Sequence, residues 1–335
     1  MTSHPQLLAT RTLNAIRKLH LPTYIATRYL FDSVAGQLES TWSLQVPKRK
    51  YPLRIVPRFH LAQRFKSLNE SDGTIVYRDF QVPSPATALA ETVVLQEIAP
   101  SPSFGKKRNV YSYRWPIENA YPYNFEHYSR SYRQRNVDIQ LCLQERKGWI
   151  TLVSDIERFY PSIDQSILTK RFQLALEGAN ITVETKTTAM QLLDDILLKD
   201  SGGLGIATGP ELSHVAGDLA LKRVDEELTK RFSKTYFRYV DDIVLVVEAD
   251  IADEALEYLV DLLRTEGLIA HPNKTEKISA AEWLQFGPHI HQKVKEVSFE
   301  ALVFQIKTFL LLRPEQKQQL ERMLGQEGFA IPIRE

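Results

Sequence analysis

Only one cysteine, Cys142, stands among the 335 residues. A single thiol closes no intrachain disulfide and builds no cysteine-based zinc ribbon, and it suits a reducing compartment. Long apolar runs are missing too. Stretches such as Ile243–Val247 and Phe309–Leu312 fall far short of the ~18 residues a membrane span needs. The opening segment MTSHPQLLATRTLNAIRKLH lacks the apolar stretch and small-residue cleavage site of a signal peptide, so a soluble cytoplasmic protein with no membrane partner is expected. No internal repeat or low-complexity tract is visible.

Net charge is scarce as well: 42 Lys+Arg against 41 Asp+Glu leave +1. That balance conceals a division. Residues 1–150 hold 21 basic and 11 acidic residues, a net +10, whereas residues 151–335 hold 21 and 30, a net −9. A basic half joined to an acidic half suggests a polyanion on one lobe and something cationic near the other. With 43% hydrophobic residues, the chain is long and apolar enough for a sizeable core and two or three lobes.

Apolar spacing predicts one or two helices over 6–40, and the Pro-rich basic run 46–60 reads as loop. GTIVYRDFQVPSP (73–85) reads as a strand stopped by Pro83 and Pro85, and 86–99 as a helix. The loop 100–116 interleaves Lys106, Lys107, Arg108 and Arg114 with Tyr111, Tyr113 and Trp115. Such a loop suits phosphates and stacked bases, or is simply solvated. A strand leads from 148 to Asp155, helical patterns fill 165–199 and 211–228, and a glycine-rich turn (201–210) separates them. Thr208 with Glu211 forms a capping-box pattern, and Pro210 fits the first helical turn. A hairpin over 235–247 carries acids at its tip, a helix closed by Gly267 follows over 251–267, and 283–335 reads as a small strand-and-helix appendage. Hairpin-connected strands among helices predict an α+β fold around an antiparallel sheet.

Three carboxylates carry the chemistry. Asp155 ends one strand, and Asp241 and Asp242 sit at the hairpin tip, 86 residues on from Asp155 to Asp241. Neighbouring strands of one sheet would bring them together. Hard oxygen ligands of this kind hold Mg2+, which keeps waters and takes further ligands from substrate phosphates. Two such ions can activate a 3′-hydroxyl and stabilise leaving pyrophosphate in an in-line displacement. An Asp-Asp pair alone favours turns for purely structural reasons. Asp194 and Asp195, in a helical pattern, read as a solvated face.

The combination is more specific than its parts. RYVDDIVLVV resembles the Tyr-x-Asp-Asp hairpin of reverse transcriptases, with Tyr239, Val240, Asp241 and Asp242 on the motif positions. VSDIERFYPSI resembles their first catalytic strand, GIATGPELSHVAGDLAL their glycine turn and supporting helix, and GLIAHPNKTE their following Lys motif. The four segments occur in the family's order and cover roughly 150–285. The resemblance implies a right-hand polymerase: N-terminal helices and basic fingers in 1–150, a palm in 151–285 and a short thumb-like appendage in 286–335. It implies two Mg2+ ions, replaceable by Mn2+, bridged by Asp155 and Asp241, with Asp242 assisting and Ile156 grouped with these ligands. Tyr160 matches the aromatic that blocks a ribose 2′-hydroxyl, which favours dNTPs and a DNA product. Lys274 matches a residue near the triphosphate, able to neutralise charge or protonate pyrophosphate. Arg78, five residues before Pro83, matches a triphosphate-binding arginine of the fingers. Thr208, Gly209 and Tyr239 belong to the nucleotide site, and Lys106, Lys107, Arg108 and Arg114 are candidates for backbone contacts, which set salt dependence rather than sequence preference.

One departure matters: Thr208 stands where many members carry Gln before the glycine. With the Phe-Tyr-Pro-Ser-Ile and Thr-Gly-Pro wording, the chain resembles bacterial abortive-infection and defence-associated reverse transcriptases, with a type 3 system among the options. That group implies antiphage defence, an RNA template or non-coding RNA, and a companion reverse transcriptase subunit or a second copy of the chain. No maturase, integrase, RNase H or nuclease segment is visible. Two alternatives stay open: template-independent or protein-primed DNA synthesis, with hydroxyls offered by AYPYNFEHYSRSY (120–132), and a non-catalytic RNA-binding scaffold. The intact carboxylates oppose the scaffold reading. The turn at 201–210 lacks the Gly-Lys-Ser/Thr of a P-loop, and His289 and His291 read as surface histidines.

Overall fold

The computed structural model describes residues 5–17, 19–33, 59–68, 75–118, 120–286, 306, 310 and 313–326. Helices α1 (Pro5–Arg17) and α2 (Leu21–Ser33) precede a hairpin of β1 (Phe59–Leu68) and β2 (Ile75–Pro83). Then come α3 (Pro85–Ile98), α4 (Tyr128–Glu145) and β3 (Trp149–Ser154). Four helices follow: α5 (Gln165–Glu177), α6 (Val183–Ile196), α7 (Glu211–Ala220) and α8 (Lys222–Phe232). A second hairpin, β4 (Tyr236–Tyr239) and β5 (Asp242–Glu248), leads to α9 (Ala252–Thr265), β6 (Glu276–Ser279), α10 (Ala280–Phe286) and α11 (Lys317–Gln326).

Local chemistry sets the boundaries. Ser84 accepts a hydrogen bond from the Thr87 amide at 3.3 Å, and Pro85 occupies the first turn, so β2 passes directly into α3. Asp164 accepts from the amides of Ser166 and Ile167 at 2.8 and 2.9 Å and opens α5. Thr182 does the same for α6 through the Thr185 amide at 3.1 Å, which is why the helical stretch 165–199 is two helices.

The central sheet has the order β4-β5-β3-β6, with antiparallel pairings throughout. Successive side chains alternate between its faces. Leu152, Leu245 and Val247 join the larger core with α3 and α5–α9, while Val153, Val244 and Val246 pack with Ile139, Cys142 and Trp283 on the other side. Burial on both faces explains the unbroken apolar run of β5. The α+β expectation holds. Helix α3 contributes Ala90, Val94, Leu95 and Ile98 to the same core as the sheet.

Several local expectations are corrected. Thr208 does not cap the following helix: Pro210 takes the N-cap position without a side-chain bond. Glu211 is instead half-buried, accepts from Asn124 Nδ2 at 2.5 Å, and is pushed up to about 7 by desolvation. The pattern over 211–228 breaks at Leu221 into α7 and α8. Asp194 is exposed and pairs with Lys199, but Asp195 is half-buried. Most of 46–60, His289 and His291, and much of 283–335 lie outside the described residues.

Gly209 ties the β1–β2 hairpin to the central unit. The Gln81 amide donates to the Thr208 carbonyl at 2.7 Å. Gly209 has φ +123°, and a Cβ there would run into the Gln81 carbonyl oxygen. A Gly209→Ala substitution should therefore destabilise the fold by about 1–3 kcal/mol or more, the usual cost of such a backbone conformation. Denaturant unfolding measures this, and an unchanged midpoint would contradict the close approach.

Candidate active site

Antiparallel register places the carboxylates. Ser154 pairs with Ile243, so Asp155 leaves β3 beside Asp242 at the start of β5. Tyr239 pairs with Asp242, leaving Val240 and Asp241 as a two-residue turn. Val240 has φ +57°, an unfavourable conformation for a β-branched residue. The segment after α9 completes the group. The His271 amide donates to the Asp155 carbonyl at 2.7 Å and the Glu157 amide to Ile269 at 2.8 Å. This pairing carries Lys274 to the site, where Nζ donates to Asp155 Oδ2 at 2.6 Å.

The electrostatics record the crowding. Burial, then the charges of Asp242 and Asp155, push the Asp241 carboxyl up to about 7. Burial alone would lower Lys274, but Asp155, Asp241 and Asp242 outweigh it and raise it. Asp242 lies 3.8 Å from Nη1 of Arg135, a guanidinium on α4 that is 1% exposed and stands 5.2 Å over the Tyr132 ring. Its Nε and Nη1 lack hydrogen-bond partners.

A buried ion network supports the turn from below. Arg238 Nη1 donates to the Val240 carbonyl at 2.7 Å. Its Nε and Nη2 reach both Asp225 oxygens at 2.7 Å, and Nη2 also reaches Asp218 at 3.0 Å. Tyr236 donates its hydroxyl to Asp225 at 2.5 Å. Lys106 pairs with the second Asp218 oxygen and donates to the Ser112 carbonyl at 2.6 Å. Helices α7 and α8 thus grip the strand that carries the turn.

This network corrects the reading of Lys106. Its side chain is 10% exposed, and burial lowers its pKa to about 8 against the pull of Asp218. Part of the loop is packed rather than solvated. The Tyr111 amide donates to the Arg238 carbonyl, and the Arg238 amide to Asn109, each at 2.9 Å, so the loop pairs with the edge strand β4. Arg114 is occupied within the loop, donating to Val110 at 2.8 Å and Arg108 at 2.7 Å while standing 4.1 Å over the Tyr111 ring. Tyr111 is buried, and Trp115 donates to the Phe104 carbonyl at 3.0 Å. Lys107 and Arg108 stay exposed. Arg78 is exposed on β2, in register with Arg64. Thr208 and Gly209 meet Gln81, as described above. The Ile156 side chain is buried, so only its backbone can face a cation.

Tyr160 lies in the helical turn Phe159–Ser162, just beyond Asp155. Its hydroxyl is 2.9 Å from His214 Nδ1. Tyr239 donates to the Tyr128 carbonyl at 3.5 Å and meets Tyr132 edge-on. Asp218, Asp225, Arg238, Arg135 and His214 went unread in the sequence. One available signal was the seven-residue spacing of Asp218 and Asp225, which in the continuous helical pattern over 211–228 would align them; the others are single residues whose partners are distant in sequence.

Among the described residues, no group of three or more His, Cys, Asp and Glu side chains forms a ready-made metal cage. The donors nevertheless suit a hard divalent ion. They are carboxylate oxygens that burial first and mutual charge second make costly to ionise together, and Mg2+ binds through one or two carboxylates while keeping waters.

Two outcomes follow. Arg238→Met leaves Asp218 and Asp225 without their buried partner and should cost about 3–5 kcal/mol, seen as a lowered thermal midpoint; an unchanged midpoint would sink the supporting role. Because the folded Asp241 carboxyl titrates near 7 and the unfolded one near ~3.9, the native state binds the extra proton between those values. Its contribution to stability is then present at low pH and lost as pH rises through about 7. Metal-free melts from pH 5 to pH 8 should show this loss in the wild type and a smaller one in Asp241→Asn; equal slopes would contradict it.

Comparison with known proteins agrees with this geometry. The family model described as reverse transcriptase (RNA-dependent DNA polymerase) matches residues 102–306, more than half of the chain. No curated protein sequence matches. Structures of telomerase from Candida tropicalis (apo) and Candida albicans (with a fragment of telomeric RNA) align at TM-score 0.42, with 12% and 13% identity. These alignments cover 74% and 75% of this chain but 49% and 47% of those chains, so the chain spans about half their length. At that similarity they add nothing to the assignment, which rests on the family match. The chain belongs to the reverse transcriptase (RNA-dependent DNA polymerase) family.

Proposed function

We propose that the chain is a magnesium-dependent RNA-directed DNA polymerase that joins dNTPs by two-metal-ion nucleotidyl transfer and acts in antiphage defence. The observation that carries this reading is the arrangement of Asp155, Asp241 and Asp242 at one end of the sheet, with Lys274 on Asp155. Family membership supports polymerase chemistry. The Phe-Tyr-Pro-Ser-Ile and Thr-Gly-Pro segments support the defence assignment, a cytosolic location and an RNA partner, with a companion reverse transcriptase subunit or second copy. Among the described residues no helix is long and apolar enough to cross a membrane.

Asp155 and Asp241 would hold both ions, with Asp242 and the Ile156 backbone completing the set. Bound Mg2+ or Mn2+ supplies Lewis acidity to a primer hydroxyl and the leaving pyrophosphate. The protein does the rest. Lys274 bonds Asp155 and is placed to turn its charge toward a triphosphate. Tyr160, on the family's sugar-excluding aromatic position, would block a ribose 2′-hydroxyl and favour deoxynucleotides. Thr208 and Gly209 would border the nucleotide, and Arg78 would meet its phosphates from the fingers. In this reading 1–150 supplies the fingers, 151–285 the palm and 286–335 the thumb. Lys107 and Arg108 supply exposed cations for nucleic-acid phosphates.

Protein purified with its bound nucleic acid should incorporate labelled dNTPs when Mg2+ is added. The double substitution Asp241→Ala/Asp242→Ala should lower incorporation by at least the ~10²–10³-fold typical of losing one electrostatic group at a reacting centre. Undiminished incorporation in that variant would overturn the assignment. The product should also be complementary to co-purified RNA; a product with no complement there would exclude RNA-directed synthesis and favour untemplated extension.

A further inference from the structure

We propose that His214 is a positioning residue that sets the sugar specificity of this site by fixing the Tyr160 ring. The inference rests on the reading of Tyr160 as the group facing the nucleotide sugar and assigns a role that the reading leaves open: what holds that ring in place.

A tyrosine ring has two soft torsions, and excluding a 2′-hydroxyl requires the ring edge to stay within a fraction of an ångström of one position. Contacts on its hydroxyl end can supply that restraint. His214, one turn into α7, places Nδ1 2.9 Å from the Tyr160 hydroxyl. The imidazole is itself immobilised. It lies flat on the Tyr113 ring, with centroids 3.7 Å apart and planes at 8°. Phe125 meets it edge-on at 6.3 Å and Tyr160 at 6.2 Å. Tyr113 thus holds the imidazole from one face while the imidazole meets the Tyr160 hydroxyl, which links the three side chains in one cluster. Phe159 and Tyr160 also lie against Gly217, three residues beyond His214, where a Cβ would come within 3.2 and 3.4 Å of their rings.

Two features distinguish this cluster from ordinary core packing. Tyr113 adopts φ +46°, a costly conformation for a non-glycine residue, in the loop that delivers its ring onto His214. Burial also lowers the His214 pKa to about 3, so the ring stays neutral and offers Nδ1 to a phenol rather than a charge to a phosphate. Whichever of the two atoms donates, the bond fixes the phenol at its outer end. Helix α7 carries the histidine and also Asp218, which braces Arg238, so one helix orients both the catalytic turn and the ring facing the sugar.

The test compares incorporation of dNTPs and rNTPs by the full chain in Mg2+, as the ratio of their kcat/KM values. Substituting His214→Leu should reduce the preference for dNTPs by roughly three- to tenfold, the scale of one net hydrogen bond, with dNTP incorporation affected less than rNTP discrimination. His214→Asn, which keeps a polar group near the Nδ1 position, should recover part of the preference. Tyr160→Phe should reproduce the loss, and the His214→Leu effect should vanish in that background, because both changes remove the same bond. The Tyr160→Phe arm also decides the matter if the histidine variant fails to fold. If Tyr160→Ala abolishes discrimination but His214→Leu and Tyr160→Phe both leave it intact, the positioning role is wrong. If Tyr160→Ala itself leaves discrimination unchanged, the sugar-facing reading of Tyr160 fails instead.

Discussion

A guanidinium shut away from water must keep its counter-ions, and the geometry of the site follows from that requirement at Arg238. Its bonds to Asp218 and Asp225 hold β4 against α7 and α8, and its remaining arm holds the Val240 carbonyl. Val240 sits in a left-handed conformation that a β-branched residue avoids when unconstrained. The buried bond offsets that strain, and the turn in turn presents Asp241 and Asp242 beside Asp155. Removing the arginine would leave buried Asp225 without its cation and Asp218 with Lys106 alone, so the network is more costly to break than to lack altogether.

The same logic extends outward. Lys106 continues the network through Asp218 and draws the loop 105–118 onto the edge of the sheet. That loop then delivers Tyr113 to His214, and His214 to Tyr160. Two non-glycine residues with left-handed backbone, Tyr113 and Val240, therefore sit at the two ends of one connected interior. Beneath the carboxylates the charges are balanced. At the surface, Lys274 pairs with Asp155 and Arg135 lies near Asp242, while burial and the neighbouring carboxylates push Asp241 up to about 7. A divalent ion would balance those carboxylates.

Much of this was legible because it depends on local pattern. The short apolar runs before Asp155 and after Asp242 specify strands, and antiparallel register then fixes which carboxylates meet. Ser84, Asp164 and Thr182 cap helices whose apolar spacing was readable although those boundaries were not. What stayed hidden depends on partners far apart in sequence. Lys106 looked like a phosphate-binding surface cation because nothing near it announces Asp218, more than a hundred residues on. The supposed capping box at Thr208 failed because Glu211 bonds Asn124 instead. Arg238 could have been read as one more exposed charge on a hairpin. Only the pairing of Asp218 and Asp225 hints that a buried cation faces them.

The central claim is that Asp155, Asp241 and Asp242 form one divalent-cation centre on a turn held by Arg238. Soaking crystals of the protein with Mn2+ and measuring anomalous scattering addresses it most directly. The account predicts anomalous peaks between Asp155 and Asp241, with Lys274 displaced from the Asp155 carboxylate. Ordered Mn2+ found only elsewhere on the protein, with Lys274 still on Asp155, would contradict it.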